Sequence, residues 1–359
     1  MIAYPNVKVN LGLSVLRKRP DGYHDLETLF LPYPDIHDTL EIIAGDDFSR
    51  TSASLFEKYS GSVPPLKMSC SAGPPPSELG SPPLMMPRVA QFSGAGTPGN
   101  KNAQQATGVS QAKDAEGGMV FRGGTPPGEG NYGTSAQIRQ GIREDGKLMI
   151  TIARKEGVDW NPLKDLTAKA YGLLDEEFGL PPVKIFLEKT APVGAGLGGG
   201  SADAAFALKM LSELFALGLG EADLAARAAR LGSDCAFFVY NRPMFGTGRG
   251  EVLEPCDMAL SAYELRVSVP EGVSVSTADA YRGIVPREAS GGRATPLREA
   301  LSRPVAQWRD CLVNDFESTV FAKYPAVARA KQALYDAGAI YASMSGSGSA
   351  VFGLFPRLT

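Results

Sequence analysis

The sequence predicts an α/β protein organised as two domains. Three observations carry this expectation. The chain has 359 residues, more than one compact core usually organises. Several short runs alternate strictly between apolar and polar residues, as half-buried strands do, and between them apolar residues recur at helical spacing.

The first strand runs from Lys8 to Leu16: Val9, Leu11, Leu13 and Val15 alternate with Lys8, Asn10, Gly12 and Ser14, which puts Lys8 and Asn10 on one polar face. Asp38 to Ile43 reads as a second short strand. The chain then changes character. Stretches such as AGPPPSELGSPPLMMP and FRGGTPPGEGNYGTS are rich in Pro, Gly and Ser, lack periodicity and hold too little apolar surface to offset the entropy of ordering. Residues 51–143 are therefore expected to be a largely disordered insertion. Order returns with a strand at Lys147 to Ala153, a helical stretch from Leu163 to Phe178 and a strand from Val183 to Glu188. Beyond a glycine-rich segment, Ala204, Leu208, Leu211 and Phe215 lie at helical spacing, with Gly218 and Gly220 as stops. A helix from Glu221 to Leu231 ends at Gly232, and a strand at Leu265 to Val269 is broken by Pro270. Helical patterns follow at Pro296 to Leu301 and Pro325 to Ala337, and the end, YASMSGSGSAVFGLF, reads as strand, small-residue turn, strand.

Composition excludes several functions. A formal net charge of −3 leaves no basic footprint for nucleic acid. Cys70, Cys235, Cys256 and Cys311 show no CxxC spacing and there are two histidines, so neither a disulfide framework nor a zinc site is indicated. The amino terminus lacks the pattern of a secretory signal, and no run approaches the roughly 18 apolar residues of a membrane span. A cytoplasmic protein without membrane partners is expected.

The segment APVGAGLGGGSADAA, residues 191–205, is the most informative. It is not a Walker A loop, because Ser201 follows Gly200 with no lysine between them. Gly194, Gly196 and Gly199 fit a GxGxxG pattern formally, but two helical patterns follow where a dinucleotide fold needs a second parallel strand. What remains is common to all such loops. Glycines permit a tight path and close approach, and amides at a helix start attract anions, with Ser201 adding a hydroxyl donor. A polyphosphate uses such a cradle most fully. From these residues alone, a flexible linker or a close-packed helix start stays open.

PVGAGLGGGSADAA (192–205) resembles the second motif of the GHMP kinases, and SMSGSGSAVFGLF (343–355) is similar to their third. PNVKVNLGLSVLRKRPDGYHDLETLF (5–30) resembles the first motif of the branch whose acceptor is 4-diphosphocytidyl-2-C-methyl-D-erythritol, and DGYH (21–24) is its discriminating part. LGSDCAFFV, GTGRGEVLEP, PEGVSVST and VNDFE are further matches, so the resemblance spans the chain apart from 51–143.

The resemblance implies a two-domain GHMP kinase fold. A ribosomal protein S5-like nucleotide-binding half would cover 1–258, interrupted by 51–143, and a ferredoxin-like half 259–359. It implies transfer of the γ-phosphoryl group of ATP, with Mg2+, to the 2-hydroxyl of that small-molecule acceptor, in non-mevalonate isoprenoid synthesis, by a monomer or weak homodimer. Lys8 and Asp234 are then the catalytic residues. Asp234 would be the base, although a helix N-cap explains an aspartate there equally well from sequence. Lys189, Pro192, Gly194, Ala195, Gly196, Leu197, Gly198, Gly199, Gly200 and Ser201 would hold the nucleotide, and Asn10, Tyr23 and His24 the substrate. Gly346 and Gly348 would let the last turn approach the phosphates or the acceptor. Asp165 departs from the asparagine usual in this family, so the adenine contact at that position does not carry over. Metal ligands are not indicated. The alternatives are another small-alcohol kinase of the superfamily, of homoserine or mevalonate type, or a nucleotide-binding protein without turnover.

Overall fold

The computed structural model describes residues 1–45, 109–113, 119–123, 136–288 and 295–357. After a short β1 (Ile2–Ala3), strands β2 (Asn6–Lys18) and β3 (His24–His37) form a long hairpin. It turns through residues 19–23, where the Arg19 amide donates to the Tyr23 carbonyl at 2.8 Å and the Gly22 amide to the Arg19 carbonyl at 3.1 Å. Gly12 takes φ +69° at a register shift in β2, where a Cβ would collide with Leu297 and Leu312. The expectation of a half-buried first strand fails here. β2 is buried on both faces from Asn6 to Val15, so Lys8 and Asn10 lie inside the protein.

β4 (Thr39–Ala44) follows. Strands β5 (Val109–Lys113) and β6 (Met119–Gly123) pair with each other, and β7 (Gln137–Ile142) pairs with β8 (Leu148–Arg154). The disordered reading of 51–143 is therefore corrected at these positions. Val109–Lys113 and Met119–Gly123 form a hairpin, and Gln137–Ile142 is an edge strand beside β8. Short strands in a Pro/Gly-rich context carry little periodicity; β7 is fixed by pairing with its sequence neighbour β8, and β6 by pairing with the distant strand Tyr263–Val269. Residues 51–108, 114–118 and 124–135, which the same expectation covered, lie outside the described residues.

α1 (Leu166–Phe178) connects β8 to the parallel strand β9 (Val183–Lys189). It begins at Asp165, whose carboxylate accepts from the Thr167 amide at 2.9 Å, and ends at Gly179 with φ +64°. The resulting sheet has the order β1-β4-β9-β8-β7. Its face is covered by α1, α2 (Gly199–Leu214), α3 (Glu221–Leu231) and α4 (Cys235–Tyr240), around a core that includes Ile150, Tyr171, Ile185, Leu208 and Phe237. β10 (Met244–Gly248) and β11 (Val252–Pro255) extend the first hairpin into a sheet ordered β11-β10-β3-β2.

β12 (Tyr263–Val269) begins the third sheet. Short helices α5 (Thr277–Tyr281), α6 (Leu297–Ser302), α7 (Trp308–Cys311) and α8 (Glu317–Lys323) precede α9 (Pro325–Asp336), and β13 (Tyr341–Met344) and β14 (Val351–Pro356) close the chain. The order is β13-β14-β12-β6-β5, so the hairpin from the amino-terminal part completes the carboxyl-terminal sheet. One buried cluster joins Val9, Leu29 and Phe245 to Trp308, Phe352 and Leu354 across the expected 258/259 boundary.

Candidate active site

Between β9 and α2 the glycine segment alternates two kinds of residue. Gly194, Gly196 and Gly198 adopt φ of +73°, +77° and +75°, a region closed to most side chains, while Ala195 and Leu197 between them are buried in the shared core. Ala195 and Leu197 thus anchor the loop and can meet a ligand only through their backbone. Pro192 opens the segment and Gly194 and Gly200 are exposed. The loop carbonyls face inward: Leu197 accepts from the Lys8 amide at 3.0 Å, Ala195 from the Ala350 amide at 3.0 Å, and Gly196 from the Ser345 hydroxyl at 3.1 Å. What faces out is the start of α2, at Gly199, Gly200 and Ser201, where no side chain caps the helix and no acid sits in the first turn. Those amides lack intrahelical partners by construction and favour an anion.

Lys8 crosses beneath this loop. Its ammonium donates to Asn10 Oδ1 and to the Gly196 carbonyl at 2.9 Å, and lies 3.5 Å from Asp234 Oδ2. Lys8 is 2% exposed, and burial holds its ammonium below the ordinary 10.5 while the Asp234 carboxylate works the other way. Asn10 is fixed as well, with Nδ2 donating to Thr28 Oγ1 at 3.1 Å. Asp234 precedes α4 but makes no capping hydrogen bond, so the N-cap alternative does not hold its side chain. Its carboxylate is 29% exposed and turned to Lys8. Structure and chemistry therefore bring Lys8, Asn10 and Asp234 together at the edge of the glycine loop.

The carboxyl-terminal turn closes the other side. At Gly346, φ +54°, a Cβ would lie 3.0 Å from the Gly196 carbonyl and 3.4 Å from Lys8 Nζ. Asn314 holds this turn, its Nδ2 donating to the Met344 and Gly346 carbonyls, each at 2.8 Å. This gives VNDFE its role, since Glu317 likewise accepts from the Met344 amide at 2.8 Å.

Lys189 is placed differently from an open nucleotide contact. Its ammonium is buried between Asp38 and Asp203, the latter at 2.6 Å, and Asp38 also accepts from the Thr190 and Ala191 amides. Burial works against the Lys189 charge, but the two carboxylates more than offset it and raise its pKa; burial raises the Asp203 pKa well above 3.8. The cluster ties β9 to the first turns of α2, directly under Gly199. Asp165 caps α1 and also accepts from Trp160 Nε1 at 3.0 Å, which accounts for an acid at that position.

Tyr23 and His24 sit at the hairpin end. Tyr23 is 56% exposed, and His24 stacks on Tyr281 with centroids 4.7 Å apart. Partial burial, with Lys18 nearby, keeps the His24 imidazole below 6.5 and hence neutral at pH 7. Tyr281, which sequence reading missed, packs edge-on against Phe316, and burial pushes its hydroxyl up to about 12, with the Asp234 charge contributing. Its five-residue helix gave no periodic signal. Among the described residues no group of three His, Cys, Asp or Glu forms a metal site, and no helix is long and apolar enough to cross a membrane.

Two family descriptions match the chain, "GHMP kinases N terminal domain" over residues 165–242 and "GHMP kinases C terminal" over 297–359. The fold is accordingly that of a GHMP kinase. A 4-diphosphocytidyl-2-C-methyl-D-erythritol kinase of Bacteroides fragilis is 37% identical, covering 99% of this chain and 92% of the relative. One from Parabacteroides distasonis is 34% identical over 100% and 93%. A crystal structure of 4-(cytidine 5'-diphospho)-2C-methyl-D-erythritol kinase aligns with a TM-score of 0.58 at 26% identity, covering 99% and 90%. A mevalonate kinase aligns at 0.54 with 10% identity over 99% and 91%, which speaks to the fold alone. The chain belongs to the 4-diphosphocytidyl-2-C-methyl-D-erythritol kinase family.

Proposed function

We propose that the protein transfers the γ-phosphoryl group of ATP to the 2-hydroxyl of 4-diphosphocytidyl-2-C-methyl-D-erythritol, giving the 2-phosphate and ADP in isopentenyl diphosphate synthesis by the non-mevalonate route. The observation that carries this reading is the Lys8–Asp234 pair, 3.5 Å apart at the edge of the uncapped start of α2. The loop amides from Gly198 to Ser201 cradle the phosphate tail, and Pro192 to Leu197 set the loop's path. Asp234 takes the proton from the acceptor hydroxyl as its oxygen bonds to the γ-phosphorus and the bond to the β-phosphate oxygen breaks, releasing ADP. Lys8 steadies the charge that spreads over the transferring group, and Asn10 orients Lys8. Lys189 acts through the buried cluster that fixes the helix start. Tyr23, His24 and Tyr281 form the surface that reads the cytosine, a neutral imidazole and aromatic faces being suited to a pyrimidine. Among the described residues no carboxylate cluster offers a resident Mg2+ site; the ion would come with the ATP phosphates and offset their charge.

The test is ADP release with each acceptor in turn. Turnover with the cytidyl substrate is expected. Faster turnover with homoserine or mevalonate would refute the specificity, and no turnover with any of them would leave only nucleotide binding.

A further inference from the structure

We propose that Arg249 receives the diphosphate of the cytidyl substrate and so sets its preference for a nucleoside diphosphate ester over a bare nucleoside. This rests on the substrate reading above. That substrate has a base at one end, an acceptor hydroxyl at the other and an anionic diphosphate between them. The ends are assigned to Tyr23, His24 and Tyr281 and to the Lys8–Asp234 pair. The middle demands a cation in a protein whose own net charge is −3.

The turn between β10 and β11 spans that gap. A Cβ at Gly250 would lie 3.9 Å from Asp234 Oδ1, and the guanidinium carbon of the preceding residue, Arg249, lies 5.1 Å from the centre of the Tyr23 ring. One residue step therefore leads from the reacting carboxylate to the base-reading aromatic. The turn is held in place, with the Gly250 amide donating to the Thr247 carbonyl at 3.0 Å and the Arg249 amide donating to Glu251. Glu251 also engages Arg249 Nε at 3.3 Å, which orients the guanidinium and leaves Nη1 and Nη2 without a hydrogen-bond partner among the described residues. That planar fork matches two phosphate oxygens. The side chain is 40% exposed and covers one face of Tyr23, leaving the other for a base.

Neighbouring cations are less suited. Arg19 is engaged through Nε, Nη1 and Nη2 by Asp21 and Asp25, Arg17 is bound at Nε by Asp25 and has no ring contact to Tyr23 among the described residues, and Lys8 is buried against Asn10, Gly196 and Asp234. Lys18 stands beside His24, at the base end, and is the natural comparison.

The experiment measures competitive inhibition by cytidine and by cytidine diphosphate in the wild type, Arg249→Gln, Arg249→Lys and Lys18→Gln, with thermal melts to confirm folding. The wild type is expected to bind the diphosphate more tightly than cytidine. Arg249→Gln should lose roughly tenfold or more of that advantage, the usual worth of a charge-assisted hydrogen bond, with cytidine affinity and the KM for ATP retained. Arg249→Lys should fall between. An unchanged ratio in Arg249→Gln, or a loss that follows Lys18→Gln instead, overturns the proposal. If the wild type binds neither probe, the substrate reading itself fails, and the proposal with it.

Discussion

Asp234 and Lys8 are far apart in sequence, and the reason they meet is local. The loop carbonyl of Gly196 draws the Lys8 ammonium to one side, and the absence of a capping bond leaves Asp234 free to face it. Asp234→Asn keeps the shape and removes the proton acceptor, so kcat should fall by roughly 10²-fold or more while ATP binding persists. Near-normal turnover in that variant would remove Asp234 from the mechanism. His24 yields a pH prediction. Its pKa lies below 6.5 because burial and Lys18 disfavour the charged ring, so it is neutral above that value and protonates as pH falls through its lowered pKa. The KM for the cytidyl substrate should be flat around neutral pH and rise as pH falls through the lowered His24 pKa, and His24→Gln should flatten the rise. A rise that persists in His24→Gln would assign the titration elsewhere. Lys8, Asn10, Tyr23, His24 and Asp234 were legible in the sequence as residue types within quoted motifs. The burial of Lys8 was not, because alternation along β2 reports one apolar face and cannot show that a glycine loop covers the other.

The glycine loop joins strand β9 to helix α2, as its sequence predicts, and its alternation has a cost that can be tested. At Gly196, φ is +77° and a Cβ would fall 2.3 Å from the Ser345 carbonyl. Gly196→Ala should therefore push the carboxyl-terminal turn away from Lys8, destabilise the fold by about 2 kcal/mol or more and raise the KM for ATP. A urea midpoint equal to wild type, with an unchanged KM, would show that the loop and turn are not locked together. Longer elements with clear periods, α1, α2, α3, α9 and the strands β8, β9 and β12, were visible in advance. β3 and α4 were not: β3 is a long strand with irregular burial, and α4 is six apolar residues, too short to show a period. The resemblance points Lys189 at the nucleotide, but only the fold reveals that Asp38, far earlier in the chain, claims its ammonium.

The segment 51–143 supplies strands to two sheets: β7 borders β8, and the β5–β6 hairpin borders β12. Replacing the whole segment by a short bridge would bare the edges of β8 and β12. We expect such a protein to melt earlier and to self-associate, seen as a concentration-dependent mass by light scattering. A monomer with wild-type melting would mean that these strands contribute nothing to the sheets they join. Composition marks the Pro/Gly-rich stretches but not the pairing: β7 is a short, partly exposed strand set by its sequence neighbour β8, and β6 meets β12 far along the chain at Phe121↔Val267. The cluster that joins Val9 and Phe245 to Trp308 and Leu354 has a separate consequence. A seam filled with interlocked aliphatic and aromatic side chains does not work as a hinge, so access for two substrates has to come from turns at its rim. Exchanging one half for that of a distant relative would mismatch this packing, and a graft would have to carry matching seam residues to fold.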